Sequence, residues 1–392
     1  MTGMPADSKV VEVRQDLPVL ERVTYLNTGT SGPLPRSVAE AMSDAVAEQA
    51  STPRTGHAYS ELVAATKQSG REAMAAMLGA GPEQIALTHN TTEGLNFITL
   101  GVNWVHGDEA VTTNVEHPGA LLPLWIVKER YGVTVRTADL LSRPPDPVDA
   151  VVRQLTPRTK LVSLSHVSYS TGELLPVREI AAAARARGVL TLVDGAQSFG
   201  ALPIDVRSLG VDFYSVPGQK WLCGPEGTGA LYSSQEAISQ IRTTFASYGT
   251  VDGYNDYGGM LVKENGQRFE QGTMHLPDLV GQTAAARWLT QVVGEDWAHE
   301  RIRRLAAFAR DRLAELDGVD MVTGERPVGL VTFGVGKTDP EQVVADLAAR
   351  GVLIRSVRRP HALRMSLGFF NTETEVTEAI SALAEVLAGA GS

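Results

Sequence analysis

Short strands that are apolar on both faces, alternating with helical patterns, constrain this chain most. Leu161-Val162-Ser163-Leu164 and Leu190-Thr191-Leu192-Val193 offer no continuous polar face, which suits a parallel sheet covered on both sides. Strands are expected at 84–89, 110–114, 134–138, 160–166, 190–194, 213–216 and 229–233. Helical patterns lie between them, as at 177–187 between Pro176 and Gly188. Such alternation implies a doubly wound α/β sheet. From about Asp278 the pattern changes: two long helices are expected at 279–293 and 296–316, followed by short strands and helices. The last helix opens on a capping box, Thr372 and Glu375. Its apolar stripe is Val376, Ala379, Ile380, Leu383, Val386 and Leu387. The expected division is a large domain over 25–277, a small C-terminal domain over 278–392, and a segment over 1–24 packing on the small domain.

Composition excludes several classes of function. Lys plus Arg is 35 and Asp plus Glu is 45, a net charge of −10. An acidic chain without a basic block argues against nucleic acid as a partner. The single cysteine, Cys223, rules out an internal disulfide and a cysteine-based zinc site, and no metal is expected. Nothing approaches the roughly 20 apolar residues of a membrane helix. Asp7, Glu12, Asp16 and Glu21 interrupt the N-terminal stretch, so no signal peptide is expected and the location reads as cytoplasmic.

The most informative stretch is 190–232. Asp194 ends a fully apolar strand, where a carboxylate needs a cationic or hydrogen-bonded partner. Lys220 follows 26 positions later, just past another strand. Carboxyl ends of neighbouring parallel strands open into one crevice, so Asp194 and Lys220 should face the same pocket. Pyridoxal phosphate needs that pair: an amine to form a Schiff base with its aldehyde, and a carboxylate to keep its pyridine nitrogen protonated. The plainer alternative is a surface lysine and a strand-end cap. Gly218, Trp221, Gly224, Gly227 and Gly229 crowd the turn, an odd setting for a solvated lysine. Thr91, Thr92, Glu93 and Gly94 follow another strand and offer backbone N–H groups to a phosphate; N-capping by Thr91 is the plainer reading, and the two are compatible.

The chain resembles the class V aminotransferase family of fold-type I pyridoxal phosphate enzymes, which includes cysteine desulfurases and isopenicillin N epimerase-like proteins. The motifs are YLNTGTSG at 25–32, THNTTEGLN at 88–96, EHPGA at 116–120, SHVSYSTGELLPV at 165–177, DGAQ at 194–197, GQKWLCGPEGTGALY at 218–232, FEQGT at 269–273 and LRMSLGFFNTETEV at 363–376. They run in family order over nearly the whole chain. The resemblance implies a large domain with a mostly parallel seven-stranded sheet and a small C-terminal α/β domain. It implies pyridoxal 5'-phosphate as cofactor, with Lys220, His117 and Asp194 as the catalytic set. Thr91, Thr92, Glu93, Gln197 and Gln219 would join these three in holding the cofactor. Thr273 would reach the phosphate from the neighbouring subunit, which implies a homodimer with shared sites. Arg364 would grip the α-carboxylate of an amino acid substrate, with Tyr169 and Asn27 beside it.

Two departures shape the functional expectation. Pro217-Gly218-Gln219-Lys220 stands where several relatives have Ser-Gly-His-Lys, and Tyr169 stands where cysteine desulfurases usually have Asn. Cysteine desulfurases also carry a nucleophilic Cys on the loop before the carboxylate-binding Arg; here the loop is RSVRRPH at 355–361, without Cys. Arg355, Arg358, Arg359 and His361 read either as recognition of a polar substrate tail or, slightly better, as a solvated loop. The expected reaction is therefore Cα deprotonation and β-elimination on a cysteine S-conjugate, as in lincosamide-pathway enzymes, and not a persulfide-type desulfuration. Decarboxylation-coupled oxidative deamination, epimerisation and transamination are the alternatives, and a non-catalytic cofactor-binding protein is the third class.

Overall fold

The structure, a computed structural model, describes residues 8–144 and 146–390. Of the N-terminal segment, residues 1–7 therefore lie outside the described residues.

All seven expected strands form one sheet: β1 (Ile85–Thr88), β2 (Glu109–Thr113), β3 (Thr134–Ala138), β4 (Thr159–Ser165), β5 (Leu190–Asp194), β6 (Phe213–Pro217) and β7 (Gly229–Ser233). Their order is β1-β7-β6-β5-β4-β2-β3. Strands β2 to β6 run parallel, and β7 runs antiparallel to both β6 and β1. The reason is local: only residues 218–228 join β6 to β7, too few for a parallel crossover. The core confirms cover on both faces. Val193 and Tyr214 belong to one buried cluster, while the adjacent Leu192 and Phe213 belong to another.

A second, antiparallel sheet follows: Asp320–Met321, β8 (Leu330–Gly334), β9 (Arg355–Val357) and β10 (Ala362–Ser366), with β10 between β8 and β9. Its own buried cluster joins Val331, Phe333, Leu363 and Met365 to Leu305, Ala309, Ile380 and Leu383 from the helices Glu295–Ala314 and Glu373–Ala390. The capping box of the last helix forms as expected: Glu375 N–H donates to Thr372 Oγ1 at 3.1 Å, and Thr372 N–H to Glu375 Oε2 at 3.0 Å. The helix expected at 279–293 starts earlier, at Leu276, and turns π-helical over Trp288–Val293. Near the chain start, Arg14 pairs with Glu375 at 2.7 Å, and Thr24–Tyr25 pairs in parallel with Val352–Leu353. No helix among the described residues is long and apolar enough to cross a membrane.

Candidate active site

Because β1, β2, β4, β5 and β6 share one direction, their carboxyl ends meet at one edge of the sheet. Asp194 ends β5 there, 5% exposed, and its Oδ1 accepts the Ala196 N–H at 2.8 Å. Burial raises its pKa, opposed by the positive charge of Lys220. Lys220 lies in the turn after β6. Burial pushes its ammonium down to about 8, with Asp194 opposing and Arg364 and Arg355 adding to the fall. A lysine poised near neutrality is a usable nucleophile and base.

The turn is fixed by Gly218 N–H to Thr228 O at 2.9 Å and by Gly224 N–H to Gly218 O at 2.9 Å. The N-terminal YLNTGTSG loop lies directly on it: Gly32 N–H donates to Gln219 O at 2.7 Å, and a Cβ on Gly32 would sit 2.2 Å from Lys220 O. Cys223 lies fully buried in the same turn, at φ 58°, and burial drives its thiol far above the ordinary range.

His117 caps the helix Pro118–Tyr131, its Nδ1 accepting the Gly119 N–H at 3.0 Å. That bond assigns the proton of the neutral ring to Nε2. Burial first, then Lys220, Arg355 and Arg364, hold its pKa at about 4. The ring meets Tyr169 edge-on at 4.9 Å. Tyr169 O in turn accepts from Arg364 Nη1 at 2.8 Å.

Arg364 is fully buried on β10, and its Nε and Nη2 have no partner among the described residues. Burial, with Arg355 adding to the fall, lowers its pKa to about 9. Arg355 stands directly opposite Arg364 in the β9–β10 register. Like charges so placed destabilise a sheet unless an anion joins them. Arg355 is thus not part of a solvated loop: it donates to Thr30 Oγ1 at 3.2 Å, and Thr30 donates to Asn27 Oδ1 at 2.7 Å. Asn27 also bridges to Ser366. Lys220, His117, Tyr169, Asn27 and the two arginines are thus gathered close together.

At the start of helix Thr91–Gly101 the structure departs from expectation. Asn90 is the cap, accepting the Glu93 N–H at 2.9 Å, and Thr91 is the first helical residue. The Glu93 carboxylate turns back to the His89 N–H at 2.6 Å and to His89 Nδ1 at 3.1 Å. Both polar ends of Glu93 are engaged, so it is removed from the anion-binding set. The N–H groups of Thr91 and Thr92 remain at the positive end of the helix, beside a buried Thr91 Oγ1 without a partner. Gln197 also differs: its Nε2 donates to Gly29 O at 2.9 Å and its Oε1 accepts from Trp221 Nε1 at 3.0 Å, leaving one N–H for a ligand. Gln219 Oε1 is buried and unpartnered. Thr273 is exposed, bonded to the Tyr248 hydroxyl at 3.0 Å, and is not brought to the cleft within one chain. No group of metal-ligating side chains occurs among the described residues. A cavity of about 760 Å³, lined in part by His166, Leu202 and His299, lies elsewhere and contains none of the cleft residues named above.

A near-neutral amine, a buried carboxylate, a helix N-terminus with an orphaned hydroxyl and a neutral imidazole suit pyridoxal 5'-phosphate, and unpaired guanidinium donors suit a carboxylate beside it. Fold and donor set together define a fold-type I pyridoxal phosphate enzyme. The family model Aminotransferase class-V matches residues 24–378, and the chain belongs to that family. A "Probable cysteine desulfurase 2" of Mycobacterium leprae is 32% identical over 96% of this chain and 96% of its own. The isopenicillin N epimerase of Amycolatopsis lactamdurans is 31% identical over 95% of this chain and 97% of its own. Among solved structures, the cystine C–S lyase C-DES with its reaction product cysteine persulfide matches at a TM-score of 0.90 and 29% identity, covering 94% of this chain and 99% of that one. A mutant of C-DES with glycine linked covalently to its pyridoxal phosphate matches at 0.90 and 30%, over 95% and 99%.

These likenesses correct the functional expectation. Relatives named cysteine desulfurases overturn the exclusion of persulfide-type desulfuration, and with it the narrower S-conjugate reading. The exclusion rested on a missing loop cysteine. In C-DES the persulfide is a product, cysteine persulfide, so the absence of that cysteine does not exclude persulfide chemistry.

Proposed function

We propose that this protein cleaves the Cβ–S bond of cysteine or cystine, leaving the sulfur as sulfide or persulfide. The observation that carries the reading is Arg364, buried with two unpaired donors beside Lys220 and opposite Arg355. Relatives named for cysteine desulfuration and cystine C–S lysis supply the substrate class. The bound cofactor supplies an electron sink for charge developing at the substrate Cα. Lys220 would hold its aldehyde covalently, Asp194 would face its pyridine nitrogen, and Thr91 and Thr92 would hold its phosphate. With its amine free, Lys220 Nζ would take the proton from the substrate Cα. Arg364, helped by Arg355, holds the α-carboxylate in a two-pronged ion pair. His117 stands over the cleft with its Nε2 proton turned away from Gly119.

The test is to give the holoenzyme L-cysteine and L-cystine and to follow alanine, pyruvate, sulfide and persulfide separately. Sulfur release matched by alanine or pyruvate is expected. Racemised or transaminated product without sulfur release would overturn the reading.

Cys223 is too buried to receive the sulfur: elimination from cystine expels it directly as cysteine persulfide, with pyruvate and ammonia, and an alanine-forming cleavage of cysteine takes its acceptor thiol from a second molecule. Cys223→Ser should keep sulfur release within about twofold of the parent. Loss of release, with a persulfide found on Cys223 in the parent protein, would show otherwise.

A second copy of the chain is the partner this reading requires. The hairpin Val251–Tyr254 and Met260–Val262 carries exposed Tyr254, Tyr257, Met260 and Leu261, with Tyr257 97% exposed. Such a patch marks an interaction surface, and Thr273 with Tyr248 lies exposed nearby in sequence. Replacing Met260 and Leu261 together by Asp should shift the protein to monomers in sedimentation and weaken cofactor retention. A dimer with parent-like cofactor retention would place the interface elsewhere.

A further inference from the structure

Glu116 immediately precedes His117, lies 3% exposed, and has no part in the roles above. One of its carboxyl oxygens bonds Thr113 Oγ1 at 2.6 Å, at the end of β2. The other bonds the Ser165 hydroxyl, at the end of β4. Ser165 is the direct register neighbour of Asp194 on β5. The same turn is held from a second point, because Val115 O accepts from the Ser168 hydroxyl at 3.2 Å. The carboxyl thus ties the segment that carries His117 to the strand that flanks Asp194.

Two buried carboxyl groups with only β4 between them cannot both ionise cheaply in a low-dielectric interior. We propose that Glu116 is a positioning residue: its carboxyl bridges β2 to β4, fixes the His117 ring over the cleft, and leaves the negative charge of the pair on Asp194. The reading rests on Asp194 and His117 flanking the cofactor. Burial raises the Glu116 pKa to about 7, with Asp194 adding to the rise and the Ser165 and Thr113 bonds opposing it. The groups facing it are Thr113 on β2, Ser165 on β4, Asp194 on β5 and Tyr169 in the loop after β4. A carboxyl whose folded pKa lies above its ordinary 4.5 stabilises the fold as the acid. That contribution is complete below about pH 4.5 and is lost as pH rises toward 7.

Glu116→Gln, Glu116→Ala and Ser165→Ala test this, with Asp194→Asn as control. The readouts are the visible circular dichroism of bound cofactor, cofactor affinity of the apoenzyme, and apoenzyme stability against pH. Glu116→Gln should keep the dichroism and an affinity within about threefold of the parent, because an amide retains both bridges. Its unfolding midpoint relative to the parent should rise between pH 5 and pH 8. Glu116→Ala should alter the dichroism and weaken cofactor about tenfold or more, the scale of a lost buried network. Ser165→Ala should move both in the same direction and serves if Glu116→Ala does not fold. Equal behaviour of the Gln and Ala variants, or an unchanged stability difference from pH 5 to 8, would overturn the proposal. A silent Asp194→Asn would instead overturn the placement of the cofactor on which it rests.

Discussion

Lys220→Ala should lower turnover by at least about 10³-fold, because on the proposed reading one change removes both the covalent anchor of the cofactor and the base for the Cα proton. The fold should survive. Among the described residues Lys220 pairs with no carboxylate within 4.0 Å, and the turn around it is held by backbone bonds from Gly218, Gly224 and Gly32 rather than by its side chain. Removing a side chain whose charged form is disfavoured by burial should leave the unfolding midpoint at or above the parent value. Added ethylamine should restore part of the activity, since a free amine can enter the space vacated and accept the proton. Turnover within tenfold of the parent would show that another group is the base, and His117 is placed to be considered first.

Arg364→Lys should cost roughly 2–4 kcal/mol in kcat/KM for any α-amino acid substrate, the scale of a disrupted desolvated charge pair. A lysine carries the charge but not the planar fork that meets both carboxylate oxygens. The spectrum of the cofactor before substrate is added should stay unchanged, because Arg364 bonds Tyr169 O and no residue assigned to the cofactor. Most of the loss should appear in KM, with the rest in kcat through poorer alignment of the Cα–H bond. Arg364→Met offers a second reading of the same site. It removes a buried cation with two unpaired donors that stands opposite Arg355, so apoenzyme stability should hold or rise while substrate binding fails. An Arg364→Met protein that unfolds more easily and still binds substrate would make Arg364 structural.

How much of this was legible in the sequence depends on the distance over which each feature is decided. The strands of the large sheet were readable because 190–194 and 160–166 are apolar on both faces, a local property. That β7 runs antiparallel was not, because it depends on how short the 218–228 turn is relative to a crossover. Lys220 and Asp194 could be paired from strand-end positions alone. Glu93 was misplaced because its position in the first helical turn suits an anion site equally well. Only the fold back to His89 shows that its carboxylate is already engaged. The sequence leaves Arg355 between recognition of a substrate tail and a solvated loop, because its opposition to Arg364 is a matter of cross-strand register. The role of Glu116 is not legible in its motif, since its two partners come from the ends of two different strands. The exclusion of persulfide chemistry fails for a different reason: it rests on a nucleophilic cysteine being absent from one loop, and C-DES has cysteine persulfide as a reaction product.

The claim on which the rest depends is that the cleft between Lys220 and Asp194 is where the cofactor binds and the reaction occurs. Reduction of the holoenzyme with borohydride, followed by proteolysis and mass mapping of the labelled peptide, tests it most directly. The account predicts a single pyridoxyl label, on Lys220, in the peptide that also contains Trp221 and Cys223. A label on any other lysine, or none on a yellow and active protein, would contradict it.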